Sequence, residues 1–139
     1  MTTIRDSSGI SFEVPSPVHT EAESTGIDSA VTAWTANGYE ITIDRGPFAD
    51  PLTQYGSRRG HAAADESVNG RTVRVVEFAD DDGTRVVGAH FPRRPDTDAD
   101  RVSVPMTVIV RLDPGTPKDV ALNIIRSIRF PTPSRKKGE

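Results

Sequence analysis

Apolar residues recur at every second position through most of this chain, and at every third or fourth position near its end. In ISFEVP (Ile10–Pro15), Ile10, Phe12 and Val14 alternate with Ser11 and Glu13. Such spacing buries one face of a strand and leaves the other in water, and Pro15 and Pro17 end it. Residues 1–9 are polar and read as a flexible N-terminus. His19 to Asp28 is polar, with Gly26, and reads as a loop. AVTAWTANGYEITIDRG carries Asn37-Gly38 between two β-prone runs. Asn-Gly supplies both positive-φ positions of a type I′ turn, so the segment predicts a hairpin. Tyr39, Ile41 and Ile43 share one face, and Trp34 adds to the core from the first arm.

HAAADESVNGRTVRVVEFADDDGTRVVGAHFP reads as three strands, turning at Asn69-Gly70 and at Asp81-Asp82-Gly83. Alternation breaks at Val75-Val76, so that strand is either bulged or covered on both faces. In RVSVPMTVIVRL, Val104, Met106, Val108, Val110 and Leu112 line one face, while Pro105 argues for an edge or a bulge. The period then changes. In TPKDVALNIIRSIRF, Val120, Ile124 and Ile128 repeat at i+4, as do Ala121 and Ile125. That stripe predicts an amphipathic helix of about three turns, with Thr116 as N-cap, Pro117 at N1 and Asp119 at N3. A short last strand is expected near Ile128–Phe130. The longest irregular stretch, Gly46–Gly60, contains Asp50-Pro51. This pair reads as the start of one helical turn capped by Asp50, with Leu52 and Tyr55 on a shared face.

These elements predict an α+β fold: an antiparallel sheet of about six strands packed by a C-terminal α-helix. A single domain over residues 10–130 lies between the loose start and a flexible basic tail, 131–139.

Composition narrows the classes. The 139 residues are 35% hydrophobic, and Pro and Gly number 11 each, in keeping with many turns. There is no cysteine, which excludes disulfides, thiolate catalysis and Cys-ligated metals. A net charge of −3 gives no global attraction to nucleic acid or anionic lipid. The charge is uneven, with 2 basic and 8 acidic residues in 1–57 against 15 and 12 in 58–139. Aromatics do not interleave with basic residues, so base stacking has no support and no nucleic-acid partner is expected. No apolar run approaches the length of a membrane span, and the start lacks the apolar core of a signal peptide. A cytoplasmic protein is expected.

The acidic clusters suggest metal chemistry until their spacing is checked. A calcium loop with Gly83 at its glycine would begin at Phe78 and end at Ala89, neither of them an acid. Asp96, Asp98 and Asp100 alternate, but Arg101 and Thr107 stand where such a loop needs glycine and an acid. His19, His61 and His90 have no neighbours at zinc spacing. His90, on a strand face with Val86 and Gly88, reads as a hydrogen-bonded or partly exposed strand histidine. No nucleotide loop and no serine elbow occurs. No metal, cofactor or catalytic set is therefore expected, and the chain reads as non-enzymatic. The one cluster able to hold a phosphate or carboxylate is RRGH with the tyrosine before it: Tyr55, Arg58, Arg59 and His61.

The strand ISFEVP, the Trp-containing segment, YEITIDRG, the hairpin ESVNGRTVRVVEF and the closing DVALNIIRSIRF resemble the Mog1/PsbP-like family, including its bacterial DcrB or DUF1795-type members. The likeness is spread over Ile10–Phe130 and rests on core pattern and turns. It implies an α+β sandwich and a non-enzymatic binding role, because members of the family mostly bind other proteins. The leading expectation is a protein-binding or adaptor module, such as a chaperone-like partner of a bacterial secretion effector. A small-ligand binder or enzyme built on the Arg58/Arg59/His61 loop is the second reading. A structural subunit that self-assembles into a homo-oligomer is the third.

Overall fold

The computed structural model describes residues 2–6, 9–25, 30–47, 49–92 and 105–130, with the backbone alone for 21–25. Among these described residues nine strands precede one helix: β1 (Thr2–Arg5), β2 (Ser11–Val14), β3 (His19–Thr25), β4 (Ala30–Ala36), β5 (Tyr39–Arg45), β6 (Ala62–Val68), β7 (Arg71–Ala79), β8 (Arg85–Phe91), β9 (Met106–Leu112) and α1 (Lys118–Arg126). The α+β class holds. The main sheet has seven strands in the order β3-β4-β5-β9-β8-β7-β6, and β1 and β2 form a separate two-stranded ribbon. Among the described residues no helix is long and apolar enough to cross a membrane.

Two meanders meet in the middle of this sheet. β3-β4-β5 and β6-β7-β8-β9 each fold by sequential antiparallel pairing, and β9 then pairs with β5 from Tyr39↔Leu112 to Arg45↔Met106. The last strand is thus central, which corrects the expectation of an edge or bulge at Pro105. Proline lacks the N–H a ladder needs, but Pro105 stands one residue outside β9, and its carbonyl accepts from Gly46 N at 2.9 Å.

The two faces of the sheet differ. On one, Ile41, Ile43, Val87, Ala89, Val108 and Val110 meet Ala121, Ile124 and Ile125 of α1, and Ile128 just after it. Each fully buried valine or isoleucine among them contributes about 1.5–3 kcal/mol. The ribbon extends this cover. Phe12 meets Trp34 edge-to-face at 5.3 Å, and the Ser127 hydroxyl accepts from Glu13 N at 2.8 Å. The expected last strand is reduced to one bridge, Ser11↔Arg129. On the other face lie Val76, Phe78 and Val86, under the segment that follows β5. Val75 and Val76 keep a regular register with Ala64 and Ala63 and belong to opposite cores, so the broken alternation marks a strand covered on both sides.

Three further expectations are corrected. Thr2–Arg5, placed in the flexible start, is strand β1 paired with β2. His19–Thr25, read as loop, is edge strand β3, with a register shift between Thr20 and Ala22. Its polar sequence hides it, because an edge strand has little to bury. The N-cap of α1 is Pro117, not Thr116, and the Thr116 hydroxyl instead donates to the Gly38 carbonyl at 2.9 Å. The tail 131–139 and the cluster Asp96, Asp98 and Asp100 lie outside the described residues.

Candidate functional site

Residues 49–60 form a strap across the second face of the sheet. The expected helical turn at Asp50 is absent. The Asp50 carboxylate accepts from Leu52 N at 2.8 Å, closing a turn rather than capping a helix, and takes the Tyr55 hydroxyl at 2.6 Å. Burial and this bond to Asp50 push the Tyr55 phenol above its usual range. Leu52 is fully buried at φ 61°, a conformation unfavourable for a branched side chain. Tyr55 stacks on Phe78 with ring centres 4.4 Å apart, so Leu52 and Tyr55 do share a face. Arg58 lies 6.0 Å from the Tyr55 ring and pairs with Asp81 at 3.0 Å. Arg111 is paired with Asp80. The first aspartate cluster is therefore bound up with turn and guanidinium contacts. Within it the Thr84 N–H holds Asp82 below its usual range.

Beneath the strap, the Thr107 hydroxyl lies 2.5 Å from the Asp50 carbonyl and 2.9 Å from His90 Nδ1. A carbonyl only accepts, so the hydroxyl proton points to Asp50 and Nδ1–H of His90 donates to Thr107. The neutral ring carries its proton on Nδ1. Burial depresses the His90 pKa below 6.5, although the Asp50 carbonyl and carboxylate pull the other way. A histidine depressed in the folded state binds fewer protons there than when unfolded. Its contribution is present above 6.5 and is lost as pH falls through the folded value. Urea midpoints at pH about 7.5 and about 5.5 are expected to drop further in the wild type than in His90→Gln, which keeps a donor for Thr107. Asp44 is shifted upward by burial and by Asp50, and its response is common to both proteins. Equal drops would show that His90 is not the group involved.

The strap ends at Arg59, whose carbonyl accepts from Ala79 N at 2.8 Å and so leads the chain into edge strand β6. Here the first face reopens, because α1 covers β8 and β9 but not β6. Two hollows lie side by side here, one along β6 and one over the neighbouring β7 and β8. One, of 140 Å³, is lined by Ala62, Ala64, Val75 and Leu122. The other, of 320 Å³, is lined by Arg59 and Gly60, just ahead of β6, and by Ala79, Arg85, Val87 and Lys118. Glu77 borders both and holds Lys118 Nζ at 3.3 Å. Arg126 grips Glu66 with two bonds, at 3.0 and 3.2 Å, and closes the far end.

The four residues singled out in the sequence divide accordingly. Tyr55 and Arg58 lie together on the strap and are engaged in its packing. Arg59 alone reaches the larger hollow. His61, half-buried, donates its backbone N–H to the Arg58 carbonyl and lines neither hollow. Sequence reasoning missed Arg85 and Lys118. No local motif joins them to Arg59, because the hairpin β7-β8 and the start of α1 bring them there from distant positions. No family model matches the chain, and neither curated proteins nor solved structures provide a match.

Proposed function

We propose that this protein is a non-enzymatic binding module that accepts an extended segment of another polypeptide as an additional strand on β6. The observation that carries this reading is the state of that edge. β6 pairs with β7 over seven residues, Ala62↔Glu77 to Val68↔Arg71, without a register shift. It contains no proline and no lysine, and Ala62 to Asp65 are exposed. Edges are normally blunted by bulges, prolines or lysines. The opposite edge, β3, follows Pro17 and carries an irregularity at Thr20/Ala22; β6 has neither device. An added strand finds main-chain partners along β6. Its alternate side chains reach over the small Ala62 and Ala64 to the hollow floored by Val75 and Leu122. A second copy is a poorer guest. Antiparallel pairing of β6 with itself about its middle residue sets Asp65 against Asp65, and like charges directly opposite destabilise. The resemblance to a family of mostly non-enzymatic binding proteins supports the same reading.

An array of random N-acetylated heptapeptides with free C-termini tests it. Binders are expected, and Ala64→Lys, which fills the hollow and charges the edge, should weaken them at least about tenfold, or about 1.4 kcal/mol, without changing the urea midpoint. An array without binders, binding indifferent to Ala64→Lys, or a dimer assembled through β6 in light scattering would overturn the proposal.

A further inference from the structure

We infer that the basic hollow at the start of β6 receives the free α-carboxylate of the guest segment, so that the module recognises the C-terminal ends of polypeptides. The inference rests on strand addition at β6. A guest running antiparallel to β6 carries its C-terminal end past Ala62 to Arg59 and Gly60, which open the hollow whose far side holds Arg85 on β8 and Lys118 on α1. Lys118 is committed to Glu77. Among the described residues Arg59 and Arg85 have no carboxylate partner, so the hollow's one carboxylate, Glu77, is matched by Lys118 and two lining arginines remain for an anion. Guanidinium presents paired donors that match a carboxylate, and a bidentate contact of this kind is stronger than a neutral hydrogen bond.

The setting favours a polypeptide end over an arbitrary anion. Arg85 Nη1 also reaches the Thr116 carbonyl at 3.5 Å, which turns its head toward the start of α1. Gly60 at φ 71° leaves open space where a side chain would project, so the mouth beside Arg59 is unobstructed. Ala79 and Val87 give the hollow an apolar lining, and its 320 Å³ suits a terminal residue with its carboxylate. The same charges set polarity. A guest running parallel to β6 would bring its N-terminal ammonium to the two arginines and be repelled.

The heptapeptide array is paired with one of identical sequences ending in carboxamide. Free-acid peptides are expected to bind at least about tenfold more tightly than their amides, since charge-assisted contacts are about twice as strong as neutral ones. Arg85→Gln should lower free-acid binding to the amide level and leave amide binding unchanged. That pattern separates a direct contact from a general loss of fold, and an unchanged urea midpoint for this exposed position confirms it. Equal binding of acid and amide would overturn the carboxylate site while leaving strand addition standing. Arg85→Gln weakening both arrays alike would overturn it too. If neither array binds, strand addition itself fails and the inference falls with it.

Discussion

Phe12→Ala is expected to lower the folding stability by about 3–5 kcal/mol, the usual cost of emptying an aromatic site in a core. Against a total of about 5–15 kcal/mol for a domain of this kind, that loss threatens the fold. The reason lies in how little holds the ribbon. A two-stranded hairpin has marginal stability alone, so β1 and β2 persist by docking. Their buried anchors are Phe12 at 1% and Val14 at 0% exposure, with Ile10 just before them. Phe12 is the one that reaches across to Trp34. The polar ties, from Glu13 N to the Ser127 hydroxyl and between Ser11 and Arg129, hold only if the ribbon is seated. The chain has one tryptophan, so Trp34 emission reports this contact directly. Urea unfolding followed by that emission and by far-ultraviolet circular dichroism should show the loss and a red-shifted native spectrum. Thr3→Ala, on the outer side of β1, serves as the near-neutral control. A loss below about 1 kcal/mol for Phe12→Ala would mean the ribbon is not docked as described.

The parts of this architecture that were legible in the sequence are those that bury something. β2, β4, β5, β7, β8, β9 and α1 each carry an apolar period, and the turns at Asn37-Gly38, Asn69-Gly70 and Asp82-Gly83 each place their glycine at positive φ, although only Asn69, and not Asn37, joins its glycine there as a type I′ turn requires. What stayed hidden depends on contacts between distant positions. β3 and β1 are edge or ribbon strands with little apolar content, so alternation has nothing to display. The central place of β9 follows from its pairing with β5, which no local pattern encodes. The mixed run Met106-Thr107-Val108-Ile109-Val110 was the available sign, since a strand covered on both faces loses its polar alternation. The candidate site shows the same limit. Arg58-Arg59 drew attention as a cluster, yet the fold sends one arginine to the strap and the other to the hollow. Arg85 and Lys118 stand alone in the sequence and meet Arg59 only through the hairpin and the helix start.

Gly88→Val is expected to lift the strap from the sheet, at a cost of about 1–3 kcal/mol, the usual range for overfilling a packed site. Gly88 lies in β8 between Val76 and Ile109. A Cβ there would stand 3.0 Å from Ile109 Cδ1 and 3.1 Å from Leu52 Cδ1, so alanine already asks both side chains to give, and valine adds two methyl groups in the same space. Something must yield, and the sheet is the stronger party, since β8 is held by full ladders on both sides. The strap hangs on Leu52 and a few contacts: the Thr107 hydroxyl to the Asp50 carbonyl, Arg74 Nε to the Leu52 carbonyl at 3.2 Å, and the Tyr55 stack. Leu52 also sits at positive φ, so its release relieves backbone strain and lowers resistance. Trypsin should then cut after Arg58 or Arg59 faster than in the wild type, whereas simple loss of stability would expose sites throughout the protein. A double-mutant cycle isolates the cause. Leu52→Ala removes the obstructing side chain, so it should cost less in Gly88→Val than in the wild type. Strictly additive losses would show that Gly88 is not there to seat Leu52, and the strap would need another explanation for its hold on this face.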